Sequence, residues 1–107
     1  MKSKVASANP LNVLQEADLL TAGDRQRDYD HPFANHQRIA ALWNTYLECR
    51  KDPLAKLTPE DVATMMILLK IARQVFTPKR DNLTDICGYA RCMERIQDYR
   101  DALVENL

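Results

Sequence analysis

The chain has 107 residues, of which 46% are hydrophobic and 28% charged, a composition that argues against a chain disordered throughout. Fifteen Lys and Arg balance fifteen Asp and Glu, which excludes general nucleic-acid binding because that needs a basic excess. The apolar runs are too short to span a membrane, so we expect a cytoplasmic protein. Residues 1–9 lack periodicity and predict a flexible arm, followed by one helical domain over 10–107.

The first two helices are predicted from prolines and apolar spacing. Asn9 and Pro10 are typical of an N-cap and a first helical position, and they predict a helix over 10–21 that is capped by Gly23. Pro32 predicts the start of a second helix that runs to about Lys51. Its predicted buried stripe comprises Phe33, Ile39, Leu42, Trp43, Tyr46 and Leu47.

The third helix begins at a strong local signal, in which Thr58 caps, Pro59 opens the first turn and Asp61 closes a capping box. Residues 62–72 are apolar nearly all round, which predicts either the central helix of a bundle or a contact with another subunit. Thr77 and Pro78 end this helix.

The fourth helix is predicted to begin at Asp81, as its cap, and to run to the C-terminus. Gly88 lies inside it, and we expect another backbone to approach there closely. The predicted inward positions are Leu83, Ile86, Ala90, Met93, Ile96 or Gln97, and Leu103. The fold class is therefore all-α, a compact four-helix bundle that forms a homo-oligomer through its apolar central helix.

A charged loop between the first two helices is the first candidate binding site. Arg25 and Arg27 have the guanidinium geometry that grips a phosphate, and Tyr29 has a ring that stacks on a base. His31 ends this loop and is also a candidate helix cap. The alternative is a solvated loop with internal Arg–Asp pairs.

The second candidate site lies where the third and fourth helices meet in an antiparallel hairpin. Polar side chains on facing surfaces then gather at one end of the bundle, where they have the chemistry to hold a phosphate, a ribose and a base edge. The predicted ligand-binding residues are Lys70, Arg73, Lys79, Arg80, Asn82 and Tyr89. Asp61 and Asp85 are the predicted Mg²⁺ ligands, although the capping position of Asp61 also explains it. The alternative is a buried network of ion pairs that fixes helix register.

Three motifs resemble a family of small phage and prophage proteins of unassigned function. They are G-D-R-Q-R-D-Y at residues 23–29, K-I-A-R at 70–73 and K-R-D-N-L-T-D-I-C-G-Y at 79–89. Asp30 stands where the family usually has Gly, and since Asp tolerates left-handed backbone we expect the turn to survive. His36 replaces a usual Phe, which removes one packing contact.

The architecture is also distantly similar to the all-α NTP pyrophosphohydrolases of the MazG and dimeric dUTPase type. That resemblance implies Mg²⁺-dependent hydrolysis, with Asp61, Lys70, Asn82, Asp85 and Tyr89 corresponding to site residues. The family's Glu-x-x-Glu motif is absent, because the second helix carries His31, Asn35 and Arg38 in its place.

Two functions are therefore predicted. The first is binding of a nucleotide or other phosphorylated ligand, and any enzymatic activity is expected to be Mg²⁺-dependent pyrophosphohydrolysis. The alternative is a non-enzymatic phage accessory protein that binds a host or phage protein, or sequesters a signalling nucleotide in counter-defence.

Overall fold

The computed structural model describes residues 10–23 and 30–107. Four helices follow one another: α1 (Val13–Ala22), α2 (Pro32–Cys49), α3 (Pro59–Phe76) and α4 (Arg80–Glu105). These two ranges contain no strand, so the all-α prediction is confirmed. The predicted arm over 1–9 lies outside the described residues.

The helix starts that rest on short-range side-chain signals are confirmed. Thr58 accepts from the Asp61 amide while the Asp61 carboxylate accepts from the Thr58 amide, which closes the predicted capping box. The third helix ends at Thr77, also as predicted. Pro32 opens α2, and His31 caps it because its Nδ1 accepts from the Phe33 amide at 3.1 Å.

Two predicted caps are wrong. The cap of α1 is Asn12, which forms a reciprocal capping box with Gln15, so the helix begins at Val13 instead of Pro10. The cap of α4 is Lys79, without a side-chain hydrogen bond, and Asp81 lies inside the first turn. An acidic residue in the first turn still interacts favourably with the helix dipole, so the cap and first-turn signals resemble each other in sequence.

The three longer helices form one layer with α3 in the centre. Trp43 Nε1 of α2 donates to the Met65 carbonyl of α3 at 2.6 Å, and Tyr46 contacts Asp61 further back along α3, so the two helices are antiparallel. Helix α4 runs antiparallel along the other side of α3. Within the described ranges α2 and α4 do not touch each other, and α1 packs against none of the three. The prediction of a central apolar helix is confirmed.

The core is small. The buried hydrophobic residues in the described part are Ile39, Ala63 and Ala72, none of them large and fully enclosed. Phe33 and Leu83 were predicted to face inward but are 71% and 54% exposed, because no described helix covers their side of the layer. Among the described residues, none of the helices is long and apolar enough to cross a membrane.

Gly88 lies in an open part of α4. A Cβ atom built there would meet no heavy atom of the described chain within 4 Å, so the close approach that we predicted does not occur within one molecule. A mid-helix glycine costs about 0.5–1 kcal/mol relative to alanine, and nothing inside the described chain compensates for this cost.

Candidate functional site

The predicted phosphate loop lies mostly outside the described residues, including Arg25, Arg27 and Tyr29. Asp30, the residue before His31 in this loop, has φ of 70° and so adopts the predicted left-handed turn. The Asp30 carboxylate accepts from the His31 amide at 2.8 Å and from Arg38 Nη1 at 3.4 Å. His31 is occupied as the cap of α2 through Nδ1.

Lys70 and Asp85 join α3 to α4. Their charged groups are 2.8 Å apart, and the Lys70 side chain is largely covered while that of Asp85 is 41% exposed. The hairpin predicted from sequence therefore brings together two of the residues predicted for the second candidate site. Tyr89 lies one turn further along α4 and is half-buried.

Asn82 is buried at the turn between α3 and α4. Its Nδ2 donates to Gln74 Oε1 at 2.9 Å and to the Thr77 carbonyl at 3.1 Å. Gln74 Oε1 also accepts from the backbone amide of Lys79 at 3.1 Å. These contacts fix the turn, so the amide group of Asn82 is committed to holding the two helices. Arg80 follows as the first, exposed residue of α4.

Arg38 is a further candidate residue, for which the sequence alone predicts no binding role. Its guanidinium lies over the Phe76 ring, with Cζ 5.4 Å from the ring centroid, so it joins α2 to the end of α3. Its Nε and Nη2 atoms are buried and have no hydrogen-bond partner among the described residues. Asn35, one turn earlier on the same face, is buried and its Oδ1 also lacks a partner in that part of the chain.

The predicted cations Lys70 and Arg73 lie on α3 within two turns of Phe76, which Arg38 contacts. Lys70, Arg73 and Phe76 are spaced by three residues, so they turn around α3 from the side that faces Asp85 of α4 towards the side that faces Arg38 of α2. We call Arg38, Lys70 and Arg73 the cationic end cluster. Because α2 and α4 are both antiparallel to α3, their N-termini, which carry partial positive charge, lie at this same end.

Asp61 lies at the opposite end of α3 in a network of its own. Its carboxylate accepts from the Tyr46 hydroxyl at 2.5 Å, the Thr58 amide at 2.8 Å and Arg50 Nη1 at 3.2 Å. The Tyr46 hydroxyl and then the Thr58 amide hold the pKa of Asp61 down to about 2, and the same carboxylate raises the pKa of Tyr46.

The two predicted Mg²⁺ ligands are therefore not brought together. Asp61 and Lys70, the partner of Asp85, are nine residues apart on α3, which corresponds to about 13 Å along the helix. Within residues 10–23 and 30–107, no three His, Cys, Asp or Glu side chains are arranged to hold a metal ion.

An apolar groove opens on α4, away from both of these sites. It encloses about 640 Å³ and runs beside the start of α3, where Arg100 forms an ion pair with Glu60. None of the predicted site residues lines it. Its apolar lining is formed by Pro59, Cys92, Ile96, Tyr99 and Leu103.

Comparison with known proteins places most of the chain in one family. Residues 12–97 match the model of a domain of unknown function, DUF6378. This range includes α1, α2, α3 and most of α4, and with them the cationic end cluster. No solved structure is significantly similar to the chain.

Two mycobacteriophage proteins are similar in sequence. The Gene 55 protein of Mycobacterium phage D29 is 43% identical over 88 residues, which are 81% of this chain and 54% of that protein. The Gene 55 protein of Mycobacterium phage L5 is 42% identical over 88 residues, again 81% of this chain and 53% of that protein. The chain thus spans about half the length of these relatives.

The resemblance to a small phage protein family of unassigned function is therefore confirmed, whereas similarity to the NTP pyrophosphohydrolases stays a prediction. The matched segment contains both predicted candidate sites and extends over more than half of the molecule. The chain belongs to the DUF6378 family.

Proposed function

We propose that this protein binds a nucleotide at the end of the helical layer where the C-terminus of α3 meets the N-termini of α2 and α4. One observation supports this most directly: buried donors of Arg38 and a buried acceptor of Asn35, one turn apart, have no partners among the described residues.

The unpaired atoms of Arg38 have the geometry of an anion site. Nε and Nη2 form one edge of the planar guanidinium and donate in parallel, which suits two oxygens of a phosphate. Leaving a buried donor unsatisfied costs about 1–3 kcal/mol, so such atoms are retained more readily where a ligand pairs with them. Stacking on Phe76 and the bond to Asp30 already hold the guanidinium in place.

Asn35 favours a nucleotide over a bare anion. Its unpaired Oδ1 accepts hydrogen bonds, and inorganic phosphate offers mainly acceptors to it. A nucleotide supplies phosphate oxygens for Arg38 together with hydroxyl or amino groups that donate to Asn35. Lys70 and Arg73 add positive charge on α3 within two turns of Phe76, and the two helix N-termini add to it.

Nucleotide binding is what we propose, and hydrolysis of the bound nucleotide is an outcome to be measured. Asp85, held beside Lys70, is the one predicted Mg²⁺ residue that lies near the cationic end cluster. Mg²⁺ is therefore included as a variable in the experiment, in which nucleotide recovered intact after denaturation would indicate sequestration, and cleaved nucleotide would indicate an enzyme.

The test is a panel of nucleoside mono-, di- and triphosphates, cyclic nucleotides, nucleosides and inorganic phosphate, each with and without Mg²⁺. A ligand at one hundred times its Kd should stabilise the fold by about 2.7 kcal/mol, measured as a rise in Tm and checked by calorimetry. Nucleotides should bind more tightly than phosphate or nucleoside alone. If no member of the panel shifts Tm, the proposal fails.

The matched variants are Arg38→Lys and Arg95→Lys. Arg38→Lys keeps the charge but removes the parallel donors, so it should weaken nucleotide binding at least tenfold. Arg95 lies exposed on α4, away from the cluster, and its replacement should leave binding unchanged. Equal binding by both variants would show that the Arg38 edge is not the site.

A protein partner is the second candidate function, favoured by the exposed apolar side chains of the layer. Val62 and Val75 on α3 and Leu83 on α4 are each more than half exposed. Such a surface suits a host or phage protein as partner. Capture of one host protein at equal stoichiometry, without any nucleotide shift in Tm, would favour this function over the first.

A further inference from the structure

Two hydrogen-bond acceptors lie on the N-terminal side of the Arg38 guanidinium. Asn35 is one turn before Arg38 on the same face of α2, and its buried Oδ1 has no partner among the described residues. Asp30 precedes the helix, and its carboxylate reaches Arg38 Nη1 at 3.4 Å. Asn35 Oδ1 and an ionised carboxylate only accept hydrogen bonds, so a group that pairs with them has to donate.

The Asp30 carboxylate has capacity for a further hydrogen bond. Its Oδ1 accepts from the His31 amide and its Oδ2 from Arg38, whereas an ionised carboxylate offers about four lone-pair sites. The side chain is 35% exposed, so a ligand can reach it. Asp30 therefore adds a second acceptor, accessible from solvent, to the buried one of Asn35.

The charges around Arg38 determine the direction in which a nucleotide lies. The negative charge of Asp30 at Nη1 repels a phosphate from that side, whereas Nε and Nη2 on the other edge have no partner in the described part of the chain. The sugar joined to a phosphate on this edge lies near the two acceptors. Sugar hydroxyls are the donors closest to the phosphate of a nucleotide, and the amino groups of the base lie beyond the sugar.

At this site, and therefore resting on the proposed function, we propose that the protein selects ribonucleotides over their deoxy forms. The sugar hydroxyls donate to Asn35 Oδ1 and to the Asp30 carboxylate, much as an acidic side chain accepts from the ribose in dinucleotide-binding folds. A sugar without hydroxyls leaves the buried acceptor of Asn35 unpaired. Sites that hydrogen-bond a hydroxyl reject an analogue without it strongly, because their own polar groups then lose a partner.

The first experiment compares ribonucleotides with their deoxy and dideoxy counterparts. These sets carry the same phosphates and bases, so calorimetry on the full chain isolates the contribution of the sugar hydroxyls. We expect each ribonucleotide that binds to have an affinity about tenfold or more above that of its dideoxy form. A purine ribonucleotide without the amino group of adenine should bind as the adenine ribonucleotide does.

The second experiment assigns the preference to Asn35. Asn35→Leu removes the buried acceptor at similar volume, so the ratio of ribonucleotide to dideoxynucleotide affinity should fall towards one. Asn44→Leu is the matched control, because Asn44 is exposed and nine residues further along α2, on its opposite face. The control should keep the full preference.

Asp30→Gly is a second variant that keeps the fold, because glycine adopts a φ of 70° without steric cost. It removes the exposed acceptor, so the preference for the ribonucleotide should also decrease. Loss of the ion pair with Arg38 weakens the binding of all nucleotides alike. The ratio of affinities therefore reports the contact with the sugar, which a purely structural role of Asp30 does not change.

Each other result contradicts the inference in a recognisable way. Nucleotides that bind equally well with and without sugar hydroxyls contradict ribose recognition but leave the proposed function standing. A preference that persists in both Asn35→Leu and Asp30→Gly contradicts the assignment to these residues, and sensitivity to the base amino group alone contradicts the sugar as donor. If no nucleotide binds, the proposed function fails and ribose recognition fails with it.

Discussion

The Asp61 carboxylate is the residue whose environment is most tightly defined. Both of its oxygens accept hydrogen bonds, from Tyr46 on α2 and from Thr58 and Arg50 on either side of the turn that joins α2 to α3. Arg50 in addition donates to the carbonyls of Pro53 and Ala55 in the same turn. The network therefore ties the end of α2 to the beginning of α3 through one ionised group.

The pH dependence of stability should reveal this group. The pKa of Asp61 in the folded chain is about 2, below its usual 3.8, so ionisation favours the folded state. That contribution is complete above about pH 5 and is lost as the pH falls from about 4 towards 2. We expect the difference in unfolding free energy between wild type and Asp61→Asn to be constant near neutrality and to shrink over this range. A difference that is independent of pH would contradict the network.

The Tyr46 hydroxyl is the largest cause of the lowered pKa, and its removal should show this directly. Tyr46→Phe deletes one donor to Asp61 but retains the ring, so the pKa of Asp61 should rise towards its ordinary value. The measurement is an NMR titration of the Asp61 side-chain carboxyl carbon. Tyr99→Phe is the control, because Tyr99 lies on exposed α4 and should leave the titration unchanged.

At the scale of the helices, the N-terminal cap of α3 should matter most for stability, because both α2 and α4 pack against α3. Thr58→Ala removes the hydroxyl that accepts from the Asp61 amide and should cost about 1 kcal/mol, which corresponds to a Tm about 4–8 °C lower. Thr58→Ser retains the acceptor and should remain within a fraction of this loss. The two variants are compared by thermal unfolding, and equal losses would show that the hydroxyl is not the stabilising group.

The helices were predictable wherever the signal is local. The start of α3 depends on Thr58, Pro59 and Asp61, which are adjacent in sequence and satisfy one another. The start of α4 was misplaced because Asp81 satisfies the rules for a cap and for a first turn equally well. The inward face of α4 was predicted from apolar spacing alone, and burial of Asn82 depends on Gln74, which belongs to another helix.

The candidate site was predictable in part for the same reason. Helical spacing and the hairpin together brought Lys70 next to Asp85. The unpaired edge of Arg38 could not be predicted, because it depends on which of five donors find partners after α2 packs on α3. Asp61 was ambiguous in sequence, where a cap and a metal ligand look alike, and its contacts with Tyr46 and Arg50 could not be predicted because they depend on how α2 packs on α3.

For the whole molecule, the small core is the dominant feature. Helices α2, α3 and α4 lie side by side, so each has one face that no described helix covers. In residues 10–23 and 30–107 the buried hydrophobic residues are one isoleucine and two alanines, and alanine contributes little apolar area. A single layer of this kind gains stability by stacking against a second one.

Thermal stability should therefore depend on protein concentration. If unfolding is coupled to dissociation, Tm rises with total chain concentration by mass action. We expect Tm, followed by circular dichroism, to increase measurably when the total chain concentration is raised about a hundredfold, from roughly 1 to roughly 100 micromolar. A Tm that stays constant over the range would indicate that one copy is stable alone.

The hydrogen bond from Trp43 to the Met65 carbonyl has a practical consequence. Trp43 is the only tryptophan of the chain and lies at the contact between α2 and α3. Its fluorescence emission therefore reports on the contact between α2 and α3, whereas far-ultraviolet ellipticity averages over all helices. If the fluorescence changes at lower denaturant concentrations than the ellipticity does, α2 separates from α3 before the rest of the molecule loses its helices.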